Sequence, residues 1–195
     1  MGTLFVDNIK HESAQGSGTI TLGASGETIA LASGASVSGN GLVGITMADQ
    51  FRLTADIANT DGDITSNLER VDDASFGKIG TGMTESSGIF SFPSTGLYLV
   101  QATMESVSQT DGVVLNMNVT TNNSTYNVEG TITQGDGDSH STNFASGSKI
   151  IFFNVTDTST HKVKFTVGSA ASTTVRGNTN INETCFTFIR LGDSV

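Results

Sequence analysis

The chain has 195 residues, of which 36% are hydrophobic and 14% are charged, and its 19 acidic residues outnumber nine Lys and Arg, giving a net charge of −10. This length suits one domain with a short extension, and the dispersed basic residues exclude nucleic acid as a partner, because phosphate binding needs clustered cations. No apolar run approaches the roughly 20 residues that a membrane-spanning helix needs, so we expect no membrane insertion.

Residues 1–45 are predicted to form a short β-rich stalk or attachment arm. Thr19–Leu22 and Thr28–Leu31 repeat the pattern Thr-Ile-x-Leu between glycines, and each copy offers an apolar face of only two residues. Isolated hairpins of this size are marginal in water, so we expect three chains to wrap around one axis. The alternative is a flexible Gly- and Ser-rich arm without fixed structure. In the first case the residues buried between chains are Ile20, Leu22, Ile29 and Leu31.

A packed domain is predicted over residues 46–195. Gln50–Ile57 alternates, so that Phe51 and Leu53 share one face of a strand. A short helix over Met47–Ile57 is the alternative, because periods of 2 and 3.6 are poorly separated over so few residues. The 23 glycines and single proline favour strands with tight turns elsewhere in the chain.

Later segments alternate more clearly. Gly96–Met104 places Tyr98 and every second residue after it on one apolar face, and Val113–Thr120 has one apolar and one polar face. Some eight to ten such segments predict a double-sheet β-sandwich. Lys149–Val155 and Cys185–Leu191 are apolar on both faces, which indicates a second buried surface. We therefore predict a subunit interface that includes Ile150, Phe152, Phe186 and Phe188.

Two stretches resemble the motifs of C1q/TNF-like jelly-roll domains. Gly88–Leu99 combines a strand, a turn at Pro93 and a second strand, and Cys185–Gly192 forms the last strand. The resemblance covers about residues 50–195. It implies an all-β, ten-stranded jelly-roll head that forms homotrimers around apolar and aromatic residues. Members of the family commonly carry a trimeric stalk, and residues 1–45 would supply one here without a collagen-like Gly-x-y run.

The opening Gly2–Lys10 and the Gly/Ser/Thr-rich repeat are similar to virion fibre and decoration proteins of tailed bacteriophages. This implies a short fibre or knob, made in the host cytoplasm, that holds other virion proteins through its arm and attaches to a host surface glycan or protein. Met1–Lys10 also lacks the pattern of a secretion signal. The alternatives are a capsid decoration trimer that stabilises the shell and a trimeric polysaccharide depolymerase. Recognition would fall to the polar loops 106–112, 120–125, 134–146 and 169–183.

Candidate catalytic and metal-binding residues are few. Asp61-Gly-Asp63 and Asp136-Gly-Asp138 offer carboxylate oxygens of the kind that calcium prefers, although Asp and Gly also dominate ordinary turns. These are weak calcium candidates, and we expect no other cofactor. Cys185 lies in an apolar strand and is expected to be a buried, inert thiol. The chain contains no Gly-x-Ser-x-Gly motif, and we do not expect an enzyme.

Overall fold

The computed structural model describes residues 44–108, 112–135, 143–168 and 172–195. The predicted stalk, with Ile20, Leu22, Ile29 and Leu31, lies outside the described residues, and the predicted boundary at 45/46 stays a prediction. Within the described part every regular element is a strand. It contains no helix of the length and apolarity needed to cross a membrane.

The described residues form two antiparallel sheets that pack face to face. In chain order the strands are β1 Ala48–Leu53, β2 Ala55–Ala58, β3 Gly62–Asp63, β4 Leu68–Arg70, β5 Thr84–Ser86, β6 Ile89–Ser91, β7 Gly96–Ser108, β8 Val113–Thr120, β9 Asn127–Gln134, β10 Asn143–Val155, β11 Lys162–Gly168, β12 Thr173–Asn178 and β13 Cys185–Gly192. The seven-stranded sheet has the order β2-β12-β7-β13-β1-β4, with β10 on the other side of β7. The six-stranded sheet has the order β5-β6-β11-β8-β9, with β3 also paired to β11.

Strand β7 organises the larger sheet. One of its edges pairs with β10 over 13 residues, from Gly96 opposite Val155 to Ser108 opposite Asn143. Its other edge pairs with β13 first and with β12 at its end. Within the described residues β10 pairs with β7 alone, so β10 is an edge strand whose outer side makes no backbone ladder.

Phenylalanines from both sheets meet in the core. The Phe90 ring lies 5.1 Å from both Phe51 and Phe188, and Phe165 stacks on Phe186 at 3.8 Å. Burial of each such side chain contributes about 1.5–3 kcal/mol to stability. The predicted strand at Phe51 is confirmed, and the alternative helix over residues 47–57 is wrong.

The prediction that Phe186 and Phe188 belong to a subunit interface is also wrong. Both side chains are fully buried within the single chain, because the register of β13 against β7 turns them towards the six-stranded sheet. The residues of β13 that face the other way are Cys185, Thr187 and Ile189.

The β5–β6 hairpin explains the glycine that opens the Gly88–Leu99 motif. Ser86 pairs with Ile89, which leaves a two-residue loop whose φ angles are 51° at Ser87 and 83° at Gly88. Two positive φ values are those of a type I′ turn, which matches strand twist and favours glycine. A Cβ atom at Gly88 would also collide with the carbonyl oxygen of Ile64. The turn therefore sets the register that directs Phe90 into the core.

Candidate functional site

The outer face of the seven-stranded sheet, which is the face turned away from the six-stranded sheet, carries one continuous line of apolar side chains. Residues that pair directly in an antiparallel sheet project from the same face. The observed pairs are Phe152 with Leu99, Leu99 with Ile189, Ile189 with Ala48, and Ala48 with Ile79. We call these five residues the apolar row; it crosses the sheet from the β10 edge to the segment before β5.

The two ends of the apolar row are open to solvent. The Phe152 side chain is 68% exposed and Ile79 is 48% exposed, whereas Leu99 and Ile189 between them are half-buried. Ile150, two residues before Phe152 and on the same face of β10, is 48% exposed. Large apolar side chains that line up on one face mark an interaction surface more than scattered ones do. Of the four head residues predicted for an interface, Ile150 and Phe152 thus lie exposed and together.

Farther along the same face the surface becomes polar. Gln50 donates through Nε2 to Thr187 Oγ1 at 2.8 Å, beside the row. Beyond Gln50 and Thr187, Arg176 donates through Nη2 to Glu183 at 2.8 Å. This hydrogen bond, with the charge of Glu183, raises the pKa of Arg176. The outer face is therefore apolar near the row and ionic towards the end at which β7 ends.

A segment that we call the strap, residues 71–83, is held onto the sheet at its start by a buried cation. The Arg52 side chain is only 1% exposed and donates to Glu69 at 2.6 Å, Asp73 at 2.6 Å and Asp72 at 2.8 Å. Burial opposes the charge on Arg52, but hydrogen bonds and charges from Glu69 and Asp73 outweigh it and raise the pKa of the guanidinium. Three acids around one arginine thus fix where the strap begins.

A second polar cluster holds the end of the strap. The fully buried carboxylate of Asp49 accepts from the Met83 backbone N–H at 2.7 Å and from Arg70 Nε at 2.9 Å. Arg70 also donates through Nη2 to the Met83 carbonyl at 2.6 Å. Between the two clusters, Ile79 and Ala48 exchange backbone hydrogen bonds at 2.9 and 3.2 Å. The strap is therefore anchored at three points, and Ile79 is held in line with the sheet.

A groove separates the edges of β9 and β10. It has a volume of about 530 Å³. At one end it is closed because β9 and β10 approach closely: a Cβ at Gly130 would lie 3.1 Å from Ile151 Cγ2, and one at Gly147 would lie 2.9 Å from Ile132 Cγ2. Its lining is mostly apolar and includes one acid: Val119, Thr121, Asn127, Glu129, Ile151, Phe152 and Phe153.

The residues predicted as calcium ligands do not form a cluster in the described part. Asp63 accepts from Lys164 Nζ at 2.7 Å and from Thr166 Oγ1 at 3.0 Å. The hydrogen bond from Lys164 is the main cause that lowers the pKa of Asp63. Asp63 is therefore the partner of an ion pair, and among the described residues no three His, Cys, Asp or Glu are grouped to hold a metal. Asp61 is exposed, and Asp136 and Asp138 lie outside the described residues.

The single cysteine is buried, as predicted. Cys185 lies opposite Thr103 in the sheet and is 8% exposed. Burial raises the pKa of its thiol, although a hydrogen bond with Thr103 opposes this. A thiol with a raised pKa carries little thiolate at neutral pH, so this side chain is not an activated nucleophile.

Solved structures share this architecture. No family model and no curated protein matches the chain. Murine APRIL, from a crystal structure at pH 8.5, is similar with a TM-score of 0.55 and 11% identity over 74% of this chain and 98% of that chain. Eiger TNF from S. frugiperda is similar with a TM-score of 0.58 and 12% identity over 77% of this chain and 96% of that chain.

A phage protein aligns less well. The PRD1 vertex protein P5 has a TM-score of 0.47 and 20% identity over 77% of this chain and 100% of that chain, which is too low to show a shared fold. The similarity to the two TNF-like structures shows the fold alone. With the two antiparallel sheets described above, it confirms the predicted all-β, TNF-like jelly roll.

Proposed function

We propose that the chain is one subunit of a homotrimeric structural protein, and that its subunits join through the apolar row and Ile150. The observation that carries this proposal is the exposure of Phe152 and Ile150 side by side on a 13-residue edge strand. An exposed apolar edge strand invites pairing and aggregation unless something covers it. A second copy of the chain would cover it.

The two ends of the apolar row support a ring rather than a twofold dimer. One end is Phe152 on the β10 edge, and the other is Ile79 on the strap. A contact between two different surface patches is heterologous, and it gives a closed ring when the rotation closes. Three subunits agree with the trimer that the resemblance to C1q/TNF-like domains implies.

The apolar contacts would supply part of the free energy that holds such a ring. Full burial of a Phe or Ile side chain stabilises by about 1.5–3 kcal/mol. With Phe152 68% and Ile150 48% exposed, covering the remaining surface would contribute about 2–3 kcal/mol at each of the three contacts. An Asp at either position would lose that residue's share of this energy and would also place a charge in an apolar contact.

The role we propose for the trimer is that of a virion knob or short fibre that contacts a host surface glycan or protein. The support is the sequence resemblance together with the direction of the strands. β7, β9 and β11 all end at the end of the sandwich opposite to the start of β1. Three of the four predicted recognition loops, 106–112, 134–146 and 169–183, follow these strands in the sequence. The fourth, 120–125, follows β8, which runs in the opposite direction, and lies at the other end of the sandwich.

The test compares two substitutions that are matched in exposure and secondary structure. Ile150→Asp alters the outer face, and Val128→Asp alters a strand residue of the six-stranded sheet that is 53% exposed. We expect light scattering with size-exclusion chromatography to give a trimer for the wild type and for Val128→Asp. We expect Ile150→Asp to lower the trimer association constant by about 10⁴-fold, because each of three contacts loses about 1 kcal/mol of Ile150 burial and about 1 kcal/mol more to the charge placed in it. A monomeric wild type at micromolar concentration would refute the proposal.

Attachment and decoration are separated by a second experiment. The purified trimer is incubated with host cells and, separately, with capsids that lack it. Binding to cells supports the attachment role. Binding to capsids alone, with a rise in their melting temperature, would assign the trimer to shell stabilisation instead.

A further inference from the structure

The strap presents a basic residue between two exposed apolar side chains. Phe76 and Ile79 are both about half exposed, and Lys78 lies between them. Within the described residues Lys78 Nζ bonds only the backbone carbonyls of Gly80 and Thr81, at 3.0 and 3.1 Å. Because the strap is anchored at both of its ends and at Ile79, it holds these three side chains in one place.

The groove between β9 and β10 is complementary to the strap in shape and charge. Its floor is apolar, with Ile151 and Phe153, and Glu129 lies exposed in its wall. No basic side chain of the described residues forms an ion pair with Glu129. The groove thus offers an apolar depression with one carboxylate, and the strap offers two apolar side chains with one ammonium group.

The strap and the groove lie at opposite sides of one subunit but at the same level along the strands. Ile79 and Phe152 are the two ends of the apolar row, and Phe152 also lines the groove. A subunit therefore cannot place its own strap in its own groove. A rotation about an axis parallel to the strands keeps each residue at its level, so it brings the strap of one subunit to the groove of the next.

We propose that the strap of each subunit docks into the β9/β10 groove of the next copy of this chain, with Lys78 paired to Glu129. This rests on the proposed trimer and adds the segment, the groove and the ion pair that set its direction. Like charges brought together in an interface repel, and an opposite pair fixes the register of the contact. Exchanging the two charges therefore tests this contact, because each single variant creates a like-charge pair and the double variant restores an opposite pair.

The test is a charge exchange in the full-length chain. The variants are Lys78→Glu, Glu129→Lys and the double variant, with Lys162→Glu as the control. Lys162 is matched because its Nζ also bonds a backbone carbonyl, that of Thr158, and because it lies on the six-stranded sheet. Trimer association is measured by sedimentation equilibrium, and circular dichroism verifies that each variant is folded.

We expect each single variant of the pair to weaken association by about tenfold or more. The double variant should return to within about threefold of the wild type, and Lys162→Glu should have no effect. A double variant as weak as the product of the two single effects would overturn the docking, as would single variants without effect.

These failures differ from failure of the trimer itself. If the wild type is a trimer that Ile150→Asp weakens, but the Lys78 and Glu129 variants associate as the wild type does, the trimer stands and the strap-to-groove contact is wrong. If the wild type is a monomer, both proposals fall.

Discussion

Because Arg52 is buried, we can predict which costs more free energy of unfolding: removing its charge or removing its charged partners. We compare Arg52→Met with the double variant Glu69→Gln/Asp73→Asn, each in an Ile150→Asp background so that unfolding is not coupled to association. The double variant leaves a guanidinium that is 1% exposed with Asp72 as its remaining anionic partner. Breaking a buried ion pair on one side costs about 3–5 kcal/mol, because the remaining charge stays buried. Asp72 is 75% exposed, so its own contribution is that of a surface pair, about 0–1 kcal/mol.

Arg52→Met removes the buried charge instead of stranding it. Methionine fills a similar volume, and the freed carboxylates are 29% to 75% exposed and can be hydrated where they are. We therefore expect Arg52→Met to cost about 1–2 kcal/mol and the double variant to cost about 3 kcal/mol or more. This is a large share of the roughly 5–15 kcal/mol typical of a domain.

The assay is urea unfolding at pH 7, followed by circular dichroism, with Asp72→Asn as a surface control. Equal m-values would show that the variants differ in stability and not in the extent of unfolding. If Arg52→Met proves more destabilising than the double variant, the ionic partners do not govern this site, and the argument that they anchor the strap is refuted.

Two further outcomes follow from the hairpin and from the Asp63–Lys164 pair. Gly88→Ala should lower the urea midpoint by an amount equivalent to about 1–3 kcal/mol, because the turn needs a positive φ at this residue and the Cβ would collide with a carbonyl oxygen. The control is Gly77→Ala, where a Cβ meets open space. Equal midpoints for the two variants would contradict the turn assignment. The pKa of Asp63 is lower in the folded state, so its stabilisation is complete above the unfolded pKa, about 3.9, and is lost as the pH falls through the folded pKa. Lys164→Met should therefore reduce the loss of melting temperature between pH 5 and pH 2, and an unchanged pH profile would exclude a role for the pair.

The alternation of residues along single strands was enough to predict which faces are buried where one face is polar. In β8 the apolar Val113, Leu115 and Met117 lie in the core, and the polar Asn116 and Asn118 lie on the other face. A period of two is a local property of an extended chain. The sequence therefore carries it directly, and the strands and the sandwich class were predictable.

For strands that are apolar on both faces, alternation does not show which face is buried. In β13 either face could be the inner one, and only pairing with β7 and β1 shows that Phe186 and Phe188 face the core. In β10 the position at the edge of the sheet, and not the composition, leaves Phe152 exposed. Register and edge position depend on residues far away in the chain, so the sequence could not show which of the four side chains lie exposed.

The strap was not predicted at all. Arg52 lies in a segment that reads as an ordinary alternating strand, and its acidic partners are 17 to 21 residues away. The signal that could have found it is the run Glu69, Arg70, Asp72 and Asp73, which follows soon after a strand containing Asp49 and Arg52. Opposite charges concentrated in two neighbouring segments indicate that the segments pair, although they do not show which charge is buried.

The unpaired side of β10 has a consequence for how the protein is produced. In the part of the chain that the structure describes, the outer side of β10 has no backbone partner, and Phe144, Ile150 and Phe152 lie exposed on this strand. An exposed apolar edge strand of this kind pairs with other chains and aggregates unless a partner covers it. If the subunits form the proposed trimer, overexpression that is faster than assembly will favour inclusion bodies. Neighbouring ribosomes on one messenger, which release subunits close together, will favour the assembled product.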